Sequence, residues 1–207
     1  IKEHQMQSIN YYILLFFVLV SCKNREAENR NVFTKNNIKN ILINKKHLKL
    51  NPLKGQWFYN DKPFSGYGFK IYKNDTLLEK TGYCNGKREG EDVMYFSDGS
   101  IKRKAFYVNN KLHGKKTNYL QNGQLMSESN YVNRLRHGVQ KVWYSIGQLA
   151  NQRNLVKGKE EGLQKAWLEN GTIYVNYEAK NGRIFGMKRA NLCYQLKNEK
   201  VVQNQTN

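Results

Sequence analysis

Few side chains in this sequence could do chemistry, and their spacing limits what that chemistry could be. His113 and His137 stand 24 residues apart, each directly before a glycine. As ligands of one zinc ion they would need nitrogens about 2.0–2.1 Å from the metal. On a β-sheet that repeats every 24 residues, equivalent positions lie two strand spacings apart, about 10 Å, too far to share an ion. They read as turn residues in register, and His47 stands alone. Cys84 and Cys193 would sit roughly 40 Å apart on such a sheet. A disulfide tolerates Cα atoms only about 7 Å apart, so two free or buried thiols are expected. Glu160 and Glu161 are neighbours, and neighbouring side chains on a strand point apart, so they make no carboxylate pair for acid–base work. There is no Gly-x-Ser-x-Gly elbow, no Walker loop and no Cys-x-x-Cys. The expectation is a chain without catalytic residues, cofactor or metal. What remains is aromatic. Tyr95, Tyr119, Trp143 and Trp167 recur every 24 residues and are the candidate contact residues, with structural duty expected for most of them.

The elements that would position those aromatics follow from the same period. Glycines recur at Gly66, Gly90, Gly114, Gly138, Gly162 and Gly186, every interval 24 residues. Eleven residues after the first five of them come Leu77, Ile101, Leu125, Leu149 and Ile173. Asp98-Gly99, Asn122-Gly123 and Asn170-Gly171 are hairpin dipeptides that tolerate positive φ. A second turn follows at Asn85-Gly86, Asn109-Asn110, Lys157-Gly158 and Asn181-Gly182. Two turns per period leave two strand-length segments rich in aromatic and β-branched residues, so each period is one β-hairpin. The fold class is therefore all-β: an elongated, single-layer antiparallel meander of tandem hairpins. The aromatics should stack in ladders with the Leu/Ile column between them, and stability should be nearly a sum over neighbours. The repeat domain with its end caps spans 53–196, Leu53 to Tyr59 covering the first hairpin and Ala190 to Leu196 the last. Residues 197–207 read as a frayed polar tail.

Gly90-Glu91-Asp92-Val93-Met94-Tyr95-Phe96-Ser97-Asp98-Gly99, and Asn85-Gly86-Lys87-Arg88-Glu89-Gly90 before it, resemble the MORN repeat in its bacterial variant form. That variant often carries a YwqK-type antitoxin label. Lys62-Pro63-Phe64-Ser65-Gly66 is similar to the segment that opens such arrays. The resemblance covers about residues 55–186 and speaks to fold more than to function. The chain departs from the pattern where Asp75 and Arg134 replace turn glycines and where Leu155 and Ala179 replace the later tyrosine.

Two segments precede the repeats. Ile13 to Val20 is an unbroken apolar run of eight, about half of what spans a bilayer and suited to the core of a secretory signal. With Leu19-Val20-Ser21-Cys22 it resembles the lipobox of bacterial lipoproteins. The resemblance implies a signal peptide over 1–21, cleavage before Cys22 and lipid attachment to its sulfur. Lys23 in place of Asp after the cysteine implies the outer membrane. If Met6 is the start, the n-region QSINYY lacks the usual basic charge. Residues 22–52 read as a tether. From 23 to 50 there are eight basic side chains, two acids and seven asparagines, a composition that stays solvated.

With 207 residues, a net charge of +19, 39% hydrophobic and 13% aromatic residues, the chain is neither a multi-span membrane protein nor fully disordered. Its three cysteines are too few for a disulfide scaffold. The basic charge seeks an anionic lipid, an acidic glycan or an acidic protein; export argues against nucleic acid. Two functions are expected. The first is a non-enzymatic, membrane-anchored binding scaffold in the bacterial cell envelope. The alternative, following the family label, is an antitoxin that sequesters a partner toxin.

Overall fold

The computed structural model describes residues 38–187 and the backbone of 194–197 and 200–203. The signal segment, Cys22, the tether up to residue 37, Cys193 and the last four residues lie outside the described residues. In chain order the strands are β1 (Leu42–Asn44), β2 (Lys49–Asn51), β3 (Gln56–Tyr59), β4 (Lys62–Pro63), β5 (Gly66–Ile71), β6 (Leu77–Cys84), β7 (Lys87–Tyr95), β8 (Ile101–Val108), β9 (Lys111–Leu112), β10 (Gly114–Tyr119), β11 (Leu125–Val132), β12 (Leu135–Arg136), β13 (Gly138–Trp143), β14 (Leu149–Val156), β15 (Lys159–Trp167), β16 (Ile173–Lys180), β17 (Arg183–Met187), β18 (Tyr194–Lys197) and β19 (Lys200–Gln203). From β5 to β16 the order across the sheet is β5-β6-β7-β8-β10-β11-β13-β14-β15-β16, the order of the chain. Every one of these pairings is antiparallel. The sheet stays open, as the period predicts for a meander.

Two turn chemistries build each period. In the first, Phe96 accepts from the Gly99 N–H at 3.0 Å and donates to Ser100 O at 2.8 Å. This is the three-residue loop in which a left-handed residue closes a type I turn. The Asp98 carboxylate accepts from the Ser100 N–H at 2.9 Å, and Asn74, Asn122 and Asn170 do the same in their periods. In the second turn both central residues have positive φ, as in Asn109 (49°) and Asn110 (65°) or Asn133 (50°) and Arg134 (75°). That is the type I′ hairpin, whose twist matches the strands it joins.

The repeat glycine bends the strand between the turns. Gly90, Gly114, Gly138 and Gly162 have φ between +67° and +84°, where a β-carbon costs about 1–2 kcal/mol. In the third and fourth periods the bend splits one strand into β9 and β10, and into β12 and β13. In β14–β15 it shifts the register between Arg153 and Leu155. The bend lays each type I′ tip against the preceding period. The second turn residue donates its N–H to the carbonyl two before the repeat glycine: Gly86 to Phe64, Asn110 to Arg88, Arg134 to Leu112 and Gly158 to Arg136, at 2.7 to 3.0 Å. The first turn residue finds the side chain just before that glycine. Asn85 N–H reaches Ser65 Oγ at 2.8 Å, Asn109 N–H reaches Glu89 Oε2 at 2.8 Å, and Asn181 N–H reaches Glu161 Oε2 at 3.3 Å. The position shared by His113 and His137 is thus where period joins period.

The N-terminal cap begins earlier than position 53. Residues 42–51, placed in the solvated tether by composition, are folded; Leu42 and Ile43, whose apolar cluster with Ile38 and Ile41 allowed one short helix turn or strand, lie in β1. β1 pairs in parallel with β5, Leu42 opposite Tyr67, and a 3-10 turn over Lys45–His47 leads to Leu48. Strands β2, β3 and β4 form a separate small sheet. Leu48, Phe64 and Tyr83 make the buried cluster, with Ile43, Trp57 and Tyr59 packed on it. The charge count of the segment concealed this, because Lys45 is neutralised by Glu79, 34 residues away. At the other end β18 pairs with β16 through Leu196 and Ile173, and β19 pairs with β18. Residues 200–203, expected to fray, are strand.

Candidate binding groove

Residues directly opposite each other on antiparallel strands project to the same side of the sheet. One row contains Thr81 opposite Asp92, Lys116 opposite Ser129 and Gln140 opposite Arg153, then Gln164 and Tyr177. The next row runs from Glu79 through Met94, Arg103, Asn118, Ser127, Val142 and Asn151 to Ala166. This side is enclosed yet polar: Thr81, Asp92, Gln140 and Gln164 are all buried.

Buried polar groups must be partnered, and at the first periods they partner one another. Lys45 Nζ donates to Glu79 Oε1 at 2.6 Å and to Thr81 Oγ1 at 2.7 Å. Thr81 donates to Asp92 Oδ2 at 2.6 Å, and Arg103 donates to Asp92 Oδ1 at 2.6 Å. Burial pushes the Lys45 ammonium below its ordinary value, against the pull of Glu79. Burial alone would raise Glu79, but the Lys45 hydrogen bond and charge hold its carboxyl below the usual range. Desolvation raises the Tyr83 phenol well above its ordinary value. This network is structural, although the Arg103 Nε is buried without a hydrogen-bond partner among the described residues.

In the fourth and fifth periods a glutamine takes over. Gln164 Oε1 accepts from the Asn154 N–H at 3.2 Å, and its Nε2 donates to Asn154 O at 2.8 Å and Gly162 O at 3.1 Å. Gln140 makes the same three bonds to Asn130 and Gly138. The amide replaces the backbone pairing that the bulge at the repeat glycine removes.

Between these structural ends lies a groove of about 430 Å³ lined by Lys116, Asn118, Ser127, Ser129, Tyr131, Arg136, Gln140, Val142, Asn151 and Arg153. Three of these are cations and none is a carboxylate, histidine or cysteine. Lys116 and Arg153 enter no ion pair among the described residues. Among the described residues the Arg136 side chain reaches the Tyr131 hydroxyl alone, at 3.4 Å. Asn118 Nδ2 donates to Ser127 Oγ at 2.7 Å, leaving the serine proton available. The arrangement can hold an anion and hydrogen-bond hydroxyls. A larger hollow of about 800 Å³ lies between the tips at 156–161 and 179–184. Its acids are engaged: Glu160 accepts from Tyr177 Oη at 2.8 Å and Glu161 serves Asn181. It belongs to the stacking of the tips.

The four sequence-predicted aromatics do not line the groove. Each is half-buried at a register shift, opposite the Leu or Ile of its own hairpin: Tyr95 with Ile101, Tyr119 with Leu125, Trp143 with Leu149 and Trp167 with Ile173. The Leu/Ile column occupies the place its spacing indicated. Tyr72 Oη donates to Tyr95 O and Tyr144 Oη to Trp167 O, both at 2.9 Å, tying period to period. Cys84 is a free, half-buried thiol. Among the described residues no group of three or more His, Cys, Asp or Glu comes together as a metal site, and no helix is long and apolar enough to cross a membrane. The groove residues escaped the sequence reading. The available signal was the position two after Gly90, Gly114, Gly138 and Gly162, where Asp92, Lys116, Gln140 and Gln164 are all polar.

Fold and groove define a tandem β-hairpin repeat sheet with one polar, basic side. Residues 112–133 match the family model of the MORN repeat variant, so this period is a MORN-type repeat, and its neighbours share its turns. Comparison with curated proteins found no match.

Proposed function

We propose that this protein is a non-enzymatic binding scaffold of MORN-type hairpins, held at a bacterial envelope membrane by lipid on Cys22, with the basic groove as its contact surface. One observation carries the reading: a groove whose lining holds three cations and no acid. Its hydroxyls and amides can bind, but none is set beside a base or a second acid that would activate it. A net charge of +19 draws anionic partners to the sheet. Two acyl chains on Cys22 would suffice for stable anchoring. Mass spectrometry of the mature N-terminus, with cell fractionation, tests the reading. Acylated Cys22 in the envelope fraction is expected. Full-length protein in the cytosol with a bare Cys22 thiol would overturn the anchor and bring forward the sequestering, antitoxin-like alternative. Turnover of any substrate by the purified protein would overturn the non-enzymatic assignment.

A further inference from the structure

We infer that the groove binds a carboxylate-bearing oligosaccharide laid across strands β10, β11, β13 and β14, with acid groups at Lys116 and Arg153. The inference rests on the binding-scaffold reading and names the ligand of that surface. The two cations lie three strand spacings apart, about 14 Å. That separation fits charges spread along a chain better than a single phosphate. Arg153 offers a planar fork that pairs with carboxylate through two parallel bonds. Ser127 and Ser129 stand on β11 between the two cations, and Asn118 and Asn151 lie beside them on the cations' own strands. Hydroxyls and amides both donate and accept, which suits sugar hydroxyls; a phosphate or sulfate group only accepts. Tyr131 adds an aromatic ring at the rim. Val142 is the one aliphatic side chain lining the groove, so there is no socket for an acyl chain or an apolar peptide anchor, and a membrane surface or a peptide fits less well.

The test is calorimetric titration of the full chain with a short oligogalacturonate, the matching neutral galactose oligomer and phosphatidylglycerol vesicles. The uronate should bind, the neutral oligomer should not, and affinity should fall as salt rises. Lys116→Gln with Arg153→Gln should weaken uronate binding about tenfold for each cation removed. The same charge change at Lys80 and Lys102, which lie over the Tyr67 and Phe96 rings outside the groove, should leave affinity within about threefold. Thermal melts of both double variants should match that of the parent, showing that each is folded. Uronate binding that survives the groove variant, absence of uronate binding by the parent, or vesicle binding equal to uronate binding would each overturn the inference. None of these outcomes bears on the anchored scaffold, which N-terminal mass and fractionation decide.

Discussion

Gln164 stands in for two backbone groups. Its amide serves the Asn154 N–H and C=O, which the bulge has removed from the ladder. Gln164→Ala leaves both unpaired at a site 2% exposed, and each buried orphan costs about 1–3 kcal/mol. Gln121→Ala, which removes one exposed bond to Asp98, should cost less than about 0.5 kcal/mol; urea unfolding of the two variants measures the contrast. Glu79 gives the fold a dependence on acid. Its folded carboxyl titrates below its ordinary value because the Lys45 hydrogen bond and charge together outweigh burial. As pH falls the unfolded chain takes up the proton first. Stability from this carboxylate is therefore complete above about pH 4.5 and drains away toward the lower folded value. The urea midpoint of the parent should fall more between about pH 5 and pH 3 than that of Glu79→Gln. The variant itself should be weaker at neutral pH by about 2 kcal/mol, short of the penalty for a fully buried pair, because Glu79 keeps 17% of its side chain exposed.

At the scale of the hairpin, the turns hold unused stability. Ile146 occupies the place that Asn74, Asp98, Asn122 and Asn170 fill elsewhere, and it is 65% exposed. It has no side-chain oxygen for the Gln148 N–H. Ile146→Asn should add about 0.5–1 kcal/mol by supplying that bond. Arg134 holds φ at 75° in a type I′ turn, so Arg134→Gly should add about 1 kcal/mol. Its N–H bond to Leu112 O is kept, since only the side chain changes. Thermal melting of the single and double variants tests both values, and sites in separate turns should add.

Across the whole sheet, each period touches only its neighbours, so the period is the natural unit of deletion. Removing residues 114–137 joins His113 to Gly138, takes out one whole period with its two turns and preserves every remaining turn. The protein should keep its strand circular-dichroism spectrum with a lower melting temperature, and lose uronate binding with Lys116. Removing residues 114–125 reverses the direction of every later strand and puts each three-residue loop on the edge where type I′ tips stack. That variant should fail to give a cooperative melt.

The residue order alone decided the period and the hairpins, but not every turn type: Asp98-Gly99, Asn122-Gly123 and Asn170-Gly171 close three-residue loops in which only the glycine has positive φ. Period and hairpins depend on positive φ at a given residue and on alternation along a strand, both of which are local. Contacts across the sheet decided the rest. Residues 42–51 fold because Leu48 meets Phe64 and Tyr83, and the Lys45 ammonium is paired with the Glu79 carboxylate. Lys116 and Arg153 become one site because β10, β11, β13 and β14 bring together residues 37 apart in the chain. The aromatics that looked like a contact face are half-buried along the hairpins, while the open cations lie across the strands. Register at the bulges governs which side chains meet, and it is set by the bend at each repeat glycine together with the tip stacked on the preceding period.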